Sequence, residues 1–206
     1  MKKLISAILV GVMILSLTAC GGDTGNGQSS DSISASNSSG SGPNSLTEAF
    51  AETPILLTSG GQSADYKMVA ALMDKLKMDY WDKNLATSDD LKNAKTLIVV
   101  TGGSSKGLGA AGINKDDELA RLDELLKAAE DAGLSIIVMH TGGSARRGEL
   151  SDEFIAPVFE HADYAIVVAS GDQDGLMSGI CAEQNIPVDF IDSISDVANI
   201  LPAAFK

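Results

Sequence analysis

Cysteine, histidine and basic residues are scarce in this chain of 206 residues, and each scarcity excludes a class of protein. The two cysteines are Cys20 and Cys181, so an internal disulfide would need a free Cys20, and an apolar core must hold the fold. Two distant histidines without a cysteine cluster do not make a zinc site, and we expect no metal. With 15 Lys and Arg against 28 Asp and Glu, the net charge of −13 disfavours nucleic acid as a partner.

The sequence also lacks an apolar run long enough to span a bilayer. Lys2 and Lys3 precede the run Leu4–Leu17, whose about 14 residues fall short of the roughly 20 in a transmembrane helix. This pattern predicts an export signal. The run ends in Leu17-Thr18-Ala19-Cys20, which resembles the lipobox of bacterial lipoproteins. The resemblance implies cleavage before Cys20 and a lipid anchor, including palmitate, on that residue. An ordinary secretory signal with a coincidental cysteine is the alternative.

The predicted organisation is a signal peptide at 1–19, the lipidated Cys20 with a linker at 20–45, and one domain at 46–206. Gly and Ser make up 15 of the 25 residues from Gly21 to Ser45, a composition that cannot bury enough apolar surface to fold. The lipid on Cys20 would attach the protein to the extracytoplasmic face of the cell membrane. Loss of Lys2 and Lys3 with the signal would change the formal charge from −13 to −15.

Apolar segments of strand length alternate with segments of helical period in the predicted domain. The strands are predicted at 55–58, 78–81, 96–101, 135–140, 164–169 and 188–191, and the helices at 65–77, 114–133, 153–161, 175–184 and 195–204. Nearly continuous aliphatic strands are typical of a parallel sheet buried on both faces. We therefore predict an α/β fold with a doubly wound, mainly parallel sheet of five or six strands in three layers. It is either Rossmann-like or flavodoxin-like, and the strand order stays open.

Four loops rich in small and polar residues follow predicted strands. Ligands of doubly wound folds bind beyond the carboxyl ends of the strands, where these loops would meet. The candidate ligand-binding residues are Ser59, Gly60, Gln62 and Ser63 in the first loop, Gly102, Gly103, Ser104, Ser105 and Lys106 in the second, His140, Gly142, Gly143, Arg146 and Arg147 in the third, and Gly171, Asp172 and Asp174 in the fourth.

Three cations, Lys106, Arg146 and Arg147, lie on two of these loops in an otherwise acidic domain. Guanidinium groups bind carboxylates and phosphates through two parallel hydrogen bonds, so the pattern predicts a site for a small anionic or polar molecule. The anionic hypothesis fails if both arginines point into solvent or into salt bridges. In the alternative interpretation the glycines only make tight turns. The arginines would then pair with the nearby Glu149, Asp152 and Glu153.

Cofactor motifs are incomplete. The segment Gly107–Gly112 has the three glycines of the dinucleotide fingerprint, but it begins several residues after the strand. The longer segment Thr101–Gly109 is similar to the cofactor loop of short-chain dehydrogenases, yet no tyrosine is followed four residues later by lysine. The chain also lacks the Gly-Lys-Ser or Gly-Lys-Thr of a P-loop. We therefore predict no cofactor.

Two polar positions at the strand ends allow more than one role. His140 is either a general base or a hydrogen-bonded structural residue. Asp172 and Asp174 precede Gly175 as in part of a calcium loop, but the remaining ligands are missing. A turn or a contact to a ligand hydroxyl is the preferred role for these two carboxylates.

Three stretches of this domain carry a family resemblance: 58–65, 102–112, and 140–143 with 146–148. The domain resembles a family of exported bacterial proteins known only as a domain of unknown function, whose members share these stretches. The resemblance covers about Pro54 to Phe190. It implies that the glycine-rich loops matter, and it implies no activity.

Two classes of function remain. The favoured one is a membrane-anchored binding protein for a small anionic or polar ligand, because the sequence shows no nucleophile with a placed base. The alternative is an extracytoplasmic transferase or hydrolase that uses His140 with Lys106, Arg146 and Arg147. The single small domain argues against a two-lobed receptor that closes on its ligand, and the sequence does not indicate a protein partner.

Overall fold

Six parallel strands form one sheet in the computed structural model, which describes residues 45–206. The strands are β1 (Ile55–Gly60), β2 (Tyr80–Asp82), β3 (Thr96–Thr101), β4 (Ser135–His140), β5 (Tyr164–Val168) and β6 (Val188–Ile191). Their order is β2-β1-β3-β4-β5-β6, and every neighbouring pair is parallel. The chain therefore winds outward in both directions from the boundary between β1 and β3, as in flavodoxin-like sheets.

Helices connect successive strands. The α-helices are α1 (Asp65–Leu76), α2 (Ser105–Ala111), α3 (Lys115–Asp131), α4 (Glu149–Phe159), α5 (Leu176–Gln184) and α6 (Val197–Ile200). Short 3₁₀ helices lie at Ser88–Asn93, Gly143–Arg146, Ala169–Gly171, Ile194–Asp196 and Leu201–Ala204.

Alternate residues of each central strand pack into two apolar clusters on opposite faces of the sheet. Leu56 and Val99 belong to the cluster that includes α3, α4 and α5. Leu57 and Ile98 belong to the cluster that includes α1 and α6. Both clusters draw all their members from Leu46 to Phe205, so the described core lies within the predicted domain. The predicted three-layer α/β fold is confirmed.

The structure corrects several predicted elements. Residues 105–111 were expected in a glycine-rich loop but form α2, which begins where the Ser104 hydroxyl accepts a hydrogen bond from the Gly107 amide. Helix α4 begins at Glu149 instead of 153 and ends at Phe159. The last predicted helix is divided into two 3₁₀ turns and the short α6. Pro202 is the second residue of the final turn, which begins at Leu201, and proline is favoured in a first helical turn.

The chain enters the domain at the edge of the sheet where the strands begin. Ala51 forms a parallel bridge with Phe205, and the Phe50 ring meets the ring of Tyr164, the first residue of β5, at 6.3 Å between centroids. The hydroxyl of Thr96, the first residue of β3, donates to the Glu52 carbonyl at 2.7 Å. The amino-terminal segment therefore lies opposite the carboxyl edge of the sheet.

The predicted signal peptide at 1–19, the lipidation at Cys20 and all of the 20–45 linker except Ser45 lie outside the described residues. Within 45–206, no helix has the length and apolar character needed to cross a membrane.

Candidate functional site

The first two glycine-rich loops pack against each other where the winding direction reverses. The Gly102 amide donates to the Gly60 carbonyl at 2.8 Å, and Gln62 forms an antiparallel bridge with Gly103. A Cβ on Gly107 would lie 1.9 Å from the Gln62 carbonyl oxygen. This glycine therefore allows close contact between α2 and the first loop, and the crevice at the β1/β3 boundary is filled by protein.

A buried carboxylate on α3 supports the first loop. Glu118 has no solvent exposure, and its Oε1 accepts hydrogen bonds from the Gly61 amide at 2.9 Å and the Gln62 side-chain amide at 3.0 Å. Arg121 donates to both oxygens of Glu118 and to the Ser59 carbonyl, which balances the buried charge.

Neither Glu118 nor Arg121 is among the residues predicted from sequence for the site. The helical spacing contained a signal for one of them, because Glu118 precedes Leu122 by four residues and so lies on the same buried stripe.

Three of the predicted ligand-binding side chains in the first loop bond inside the protein. The Ser59 hydroxyl donates to the Ser63 carbonyl at 3.3 Å, and the Ser63 hydroxyl donates to Asp65 at 3.1 Å. Gln62 bonds Glu118, and like Ser59 and Ser63 it is buried. These side chains lie close together in a hydrogen-bond network inside the protein.

Arg146 joins the loops that follow β1 and β4. Its Nε donates to Asp65 Oδ2 at 3.0 Å, and a Cβ on Gly142 would lie 1.9 Å from its Cγ. The side chain is 36% exposed, and its Nη1 and Nη2 have no hydrogen-bond partner among residues 45–206. Arg146 therefore keeps donors that face away from its salt bridge.

Arg147 is held by two carboxylates. It donates through Nε and Nη2 to the two oxygens of Asp152 and through Nη1 and Nη2 to the two oxygens of Asp174, at 2.7–3.2 Å. Its Nη1 also donates to the Gly171 carbonyl. These bonds raise the pKa of the guanidinium above its already high value, first through Asp174 and then through Asp152. Both arginines thus form salt bridges, and this arrangement counts against the hypothesis that the two arginines bind an anionic ligand.

His140 is buried beneath the same loops. Its Nε2 lies 3.2 Å from the Arg146 carbonyl, and its Nδ1 has no partner among the described residues. Burial lowers the pKa of the imidazole, and the contact with the Arg146 carbonyl opposes that shift only in part. A Cβ on Gly171 would lie 2.7 Å from Nδ1, so the backbone of Gly171 covers the ring.

A cleft of about 270 Å³ opens above Gly171 at the carboxyl ends of β4 and β5. It is lined by Ser144, Arg147, Asp152, Ser170, Gly171, Gln173 and Asp174. Of the predicted site residues, Arg147, Gly171 and Asp174 line it. The prediction missed Ser144, Ser170 and Gln173, although they belong to the loops singled out, and it gave Asp152 only as a possible partner of an arginine.

The remaining predicted residues have other positions. Asp172 caps α5 by accepting hydrogen bonds from the amides of Met177 and Ser178 at 2.7 and 3.1 Å, which agrees with the preferred turn role. Ser105 and Lys106 are exposed in the first turn of α2, and neither lines the cleft. The three predicted cations therefore do not meet at one site.

Among residues 45–206, no group of three or more His, Cys, Asp or Glu side chains is placed to hold a metal ion. Cys181 is buried on α5, and burial raises the pKa of its thiol to about 11, with a smaller contribution from Asp172.

One solved structure resembles part of the chain: a protein from Thermoplasma acidophilum that is described as part of a GMP synthase, with 18% identity and a TM-score of 0.33. The match covers 55% of this chain and 47% of that protein, so the chain spans about half the length of this relative. The fold described above rests on the sheet topology of the chain itself.

None of the curated proteins matches the chain. The model of the DUF6305 family, described as a domain of unknown function, matches residues 52–205. This match contains the whole of the predicted region of resemblance, about Pro54 to Phe190, and confirms that the domain belongs to a family of unknown function. The chain belongs to the DUF6305 family.

Proposed function

We propose that the domain binds a small polar molecule in the cleft above β4 and β5. The observation that carries the proposal is the cleft itself, about 270 Å³ at the edge of the sheet where doubly wound folds bind ligands. Its lining combines hydroxyls from Ser144 and Ser170 with the Gln173 amide and the ionic groups around Arg147. Because Arg147 is fixed by several hydrogen bonds, the polar groups beside it are held in place before a ligand arrives.

The proposal is narrower than the one made from sequence. An anionic ligand would need free donors on Arg147, and Asp152 and Asp174 occupy them. Catalysis by His140 has no comparable support, because the ring is buried under Gly171 and its pKa is lowered. Binding of a polar molecule is the function that this geometry favours.

A ligand screen with a blocked cleft tests the proposal. The chain from Gly21 would be screened against sugars, amino acids and amines by thermal shift, because a ligand that binds only the folded state raises the melting temperature. Gln173→Trp fills the cleft and should abolish the shift caused by a hit. Gln184→Trp, at the exposed end of α5, is the matched control and should leave the shift intact. A hit that stabilises both variants equally would place the ligand elsewhere.

We also propose that the mature protein is a lipoprotein anchored through Cys20 on the extracytoplasmic face of the membrane. The support is the sequence Leu17-Thr18-Ala19-Cys20 at the end of a short apolar run. Cells given labelled palmitate should incorporate the label into the wild-type protein and not into Cys20→Ser. Wild-type protein without label, or label that persists in the variant, would refute the anchor.

A further inference from the structure

The proposed binding cleft has a net negative charge. One guanidinium, that of Arg147, lies between the carboxylates of Asp152 and Asp174, which leaves one negative charge in excess. The contact with Arg147 lowers the pKa of Asp174 to about 2, so this carboxylate is ionised near neutral pH. Lys106 does not line the cleft, and Arg146 pairs with Asp65, so neither residue offsets the excess from within the lining.

Arg147 has no hydrogen-bond donor left for a ligand. A guanidinium has five N–H groups. In the structure, Asp152 receives two hydrogen bonds, Asp174 receives two, and the Gly171 carbonyl receives one. A carboxylate or phosphate ligand would therefore have to displace Asp174 before it reached the guanidinium.

The two carboxylates, in contrast, keep unused acceptor capacity. Each carboxylate oxygen can accept about two hydrogen bonds. Oδ2 of Asp152 and Oδ2 of Asp174 each accept one, both from Nη2 of Arg147, at 3.2 and 2.8 Å. The two oxygens thus lie close together around one nitrogen atom. Asp174 is 61% exposed and Asp152 35%, so a ligand can approach them from solvent.

A buried polar atom lies beneath the cleft, separated from it by the backbone of Gly171. His140 is fully buried, and its Nδ1, which has no partner within 45–206, faces the backbone of Gly171. Ser144 and Ser170 supply hydroxyls on the walls of the cleft. The lining therefore offers acceptors and hydroxyls, and it suits a ligand that brings hydrogen-bond donors.

We propose that the cleft recognises a small hydroxylated molecule that carries an ammonium group, with the ammonium between Asp152 and Asp174 and the hydroxyls toward Ser144, Ser170 and Gln173. This inference rests on the proposed function and specifies the ligand class. An ammonium group supplies three donors and one positive charge, which matches the two free oxygens and the excess negative charge.

Three sugars that share one ring but differ in charge test the inference: glucosamine, glucose and glucuronate. Each would be titrated into ¹⁵N-labelled chain from Gly21 at 0.15 M salt while the amide signals of the lining residues are followed by NMR. Glucosamine should bind about tenfold more tightly than glucose, a factor that corresponds to about 1.4 kcal/mol, and glucuronate should bind more weakly than glucose.

Matched variants separate the cleft from the general acidity of the protein. Asp174→Asn removes the excess charge and should reduce the preference for glucosamine over glucose to about twofold or less, since the cleft is then neutral. Asp152→Asn is a second variant with the same expected effect. Asp123→Asn removes a similarly exposed carboxylate that lies on α3 and pairs with Lys127. This control variant should keep the full preference for glucosamine over glucose.

The outcomes distinguish this inference from the proposed function. If glucose shifts the lining signals and glucosamine binds no more tightly, the ammonium inference is wrong and binding of a polar ligand stands. Equal loss of preference in the Asp174 and Asp123 variants would also overturn it. If none of the three sugars shifts the lining signals, the hydroxylated-amine class is excluded, and the proposed function is then decided by the Gln173→Trp screen.

Discussion

Two glycines in one short helix should respond in opposite ways to the same substitution. Gly107 and Gly109 both lie in α2, and alanine is favoured over glycine inside a helix by about 0.8 kcal/mol. A Cβ at Gly109 would meet nothing within 4 Å, so Gly109→Ala should stabilise the domain by roughly that amount. A Cβ at Gly107 would lie 1.9 Å from the Gln62 carbonyl oxygen, a backbone atom that cannot rotate away.

The overlap at Gly107 should exceed the helix preference. Overpacking of a well-packed interior costs about 1–3 kcal/mol, and this contact with a backbone atom belongs at the upper end. We expect Gly107→Ala to lower the free energy of unfolding by about 2 kcal/mol net. For a domain of this size the melting temperature should fall by about 4–8 °C, while Gly109→Ala should raise it by about 2–3 °C.

Urea denaturation followed by far-UV circular dichroism measures both variants on the chain from Gly21, and equal m-values would show that the denatured states are comparable. If Gly107→Ala is as stable as Gly109→Ala, Gln62 does not contact α2. The glycines of the second loop would then not serve close packing, and the crevice between β1 and β3 would again be a candidate ligand site.

Three further predictions concern buried or paired groups. Glu118→Gln places an amide N–H₂ against partners that are all donors, so the free energy of unfolding should fall by about 3 kcal/mol. Urea denaturation measures this change, and an unchanged value would contradict the role assigned to the ion pair of Glu118 with Arg121. The pKa of Asp174 falls from 3.8 to about 2 on folding, so its pairing with Arg147 stabilises the domain above pH 4, and this stability is lost as the pH falls toward 2. Asp174→Asn should therefore flatten the pH dependence of the free energy of unfolding between pH 4 and 2, and the wild-type slope in the variant would refute the assignment. The Cys181 thiol, buried and with its pKa raised to about 11, should not react with a disulfide reagent at pH 8 until urea unfolds the domain.

The regular elements of the fold could be predicted because local pattern decides them. Strands β3, β4 and β6 have the predicted bounds. The first two are apolar runs that end in polar residues, and β6 is a short apolar segment interrupted only by Asp189. Helix α3 begins after Asn114 as expected, because the Asn114 side chain accepts a hydrogen bond from the Asp117 amide and forms a capping box with Asp117. Helix α2 was missed because its glycines and serines are typical of a loop, and packing against Gln62 overrides that preference.

The candidate site was predicted only in part because its ionic pairs join distant segments. Arg146 pairs with Asp65, 81 residues away in sequence, and Arg147 reaches Asp174, 27 residues away. Sequence alone could place these residues at one edge of the sheet but could not show which charges were already satisfied. That distinction narrows the expected ligand from an anionic or polar molecule to a polar molecule rich in hydrogen-bond donors.

The contacts of Ala51 with Phe205 and of Phe50 with Tyr164 also determine how the domain can be attached to a surface. These contacts and the cleft are separated by the length of the strands, roughly 15–20 Å for five or six residues. A support that holds the domain directly at Phe50 and Ala51 would therefore leave the entrance around Asp174 and Gln173 unobstructed.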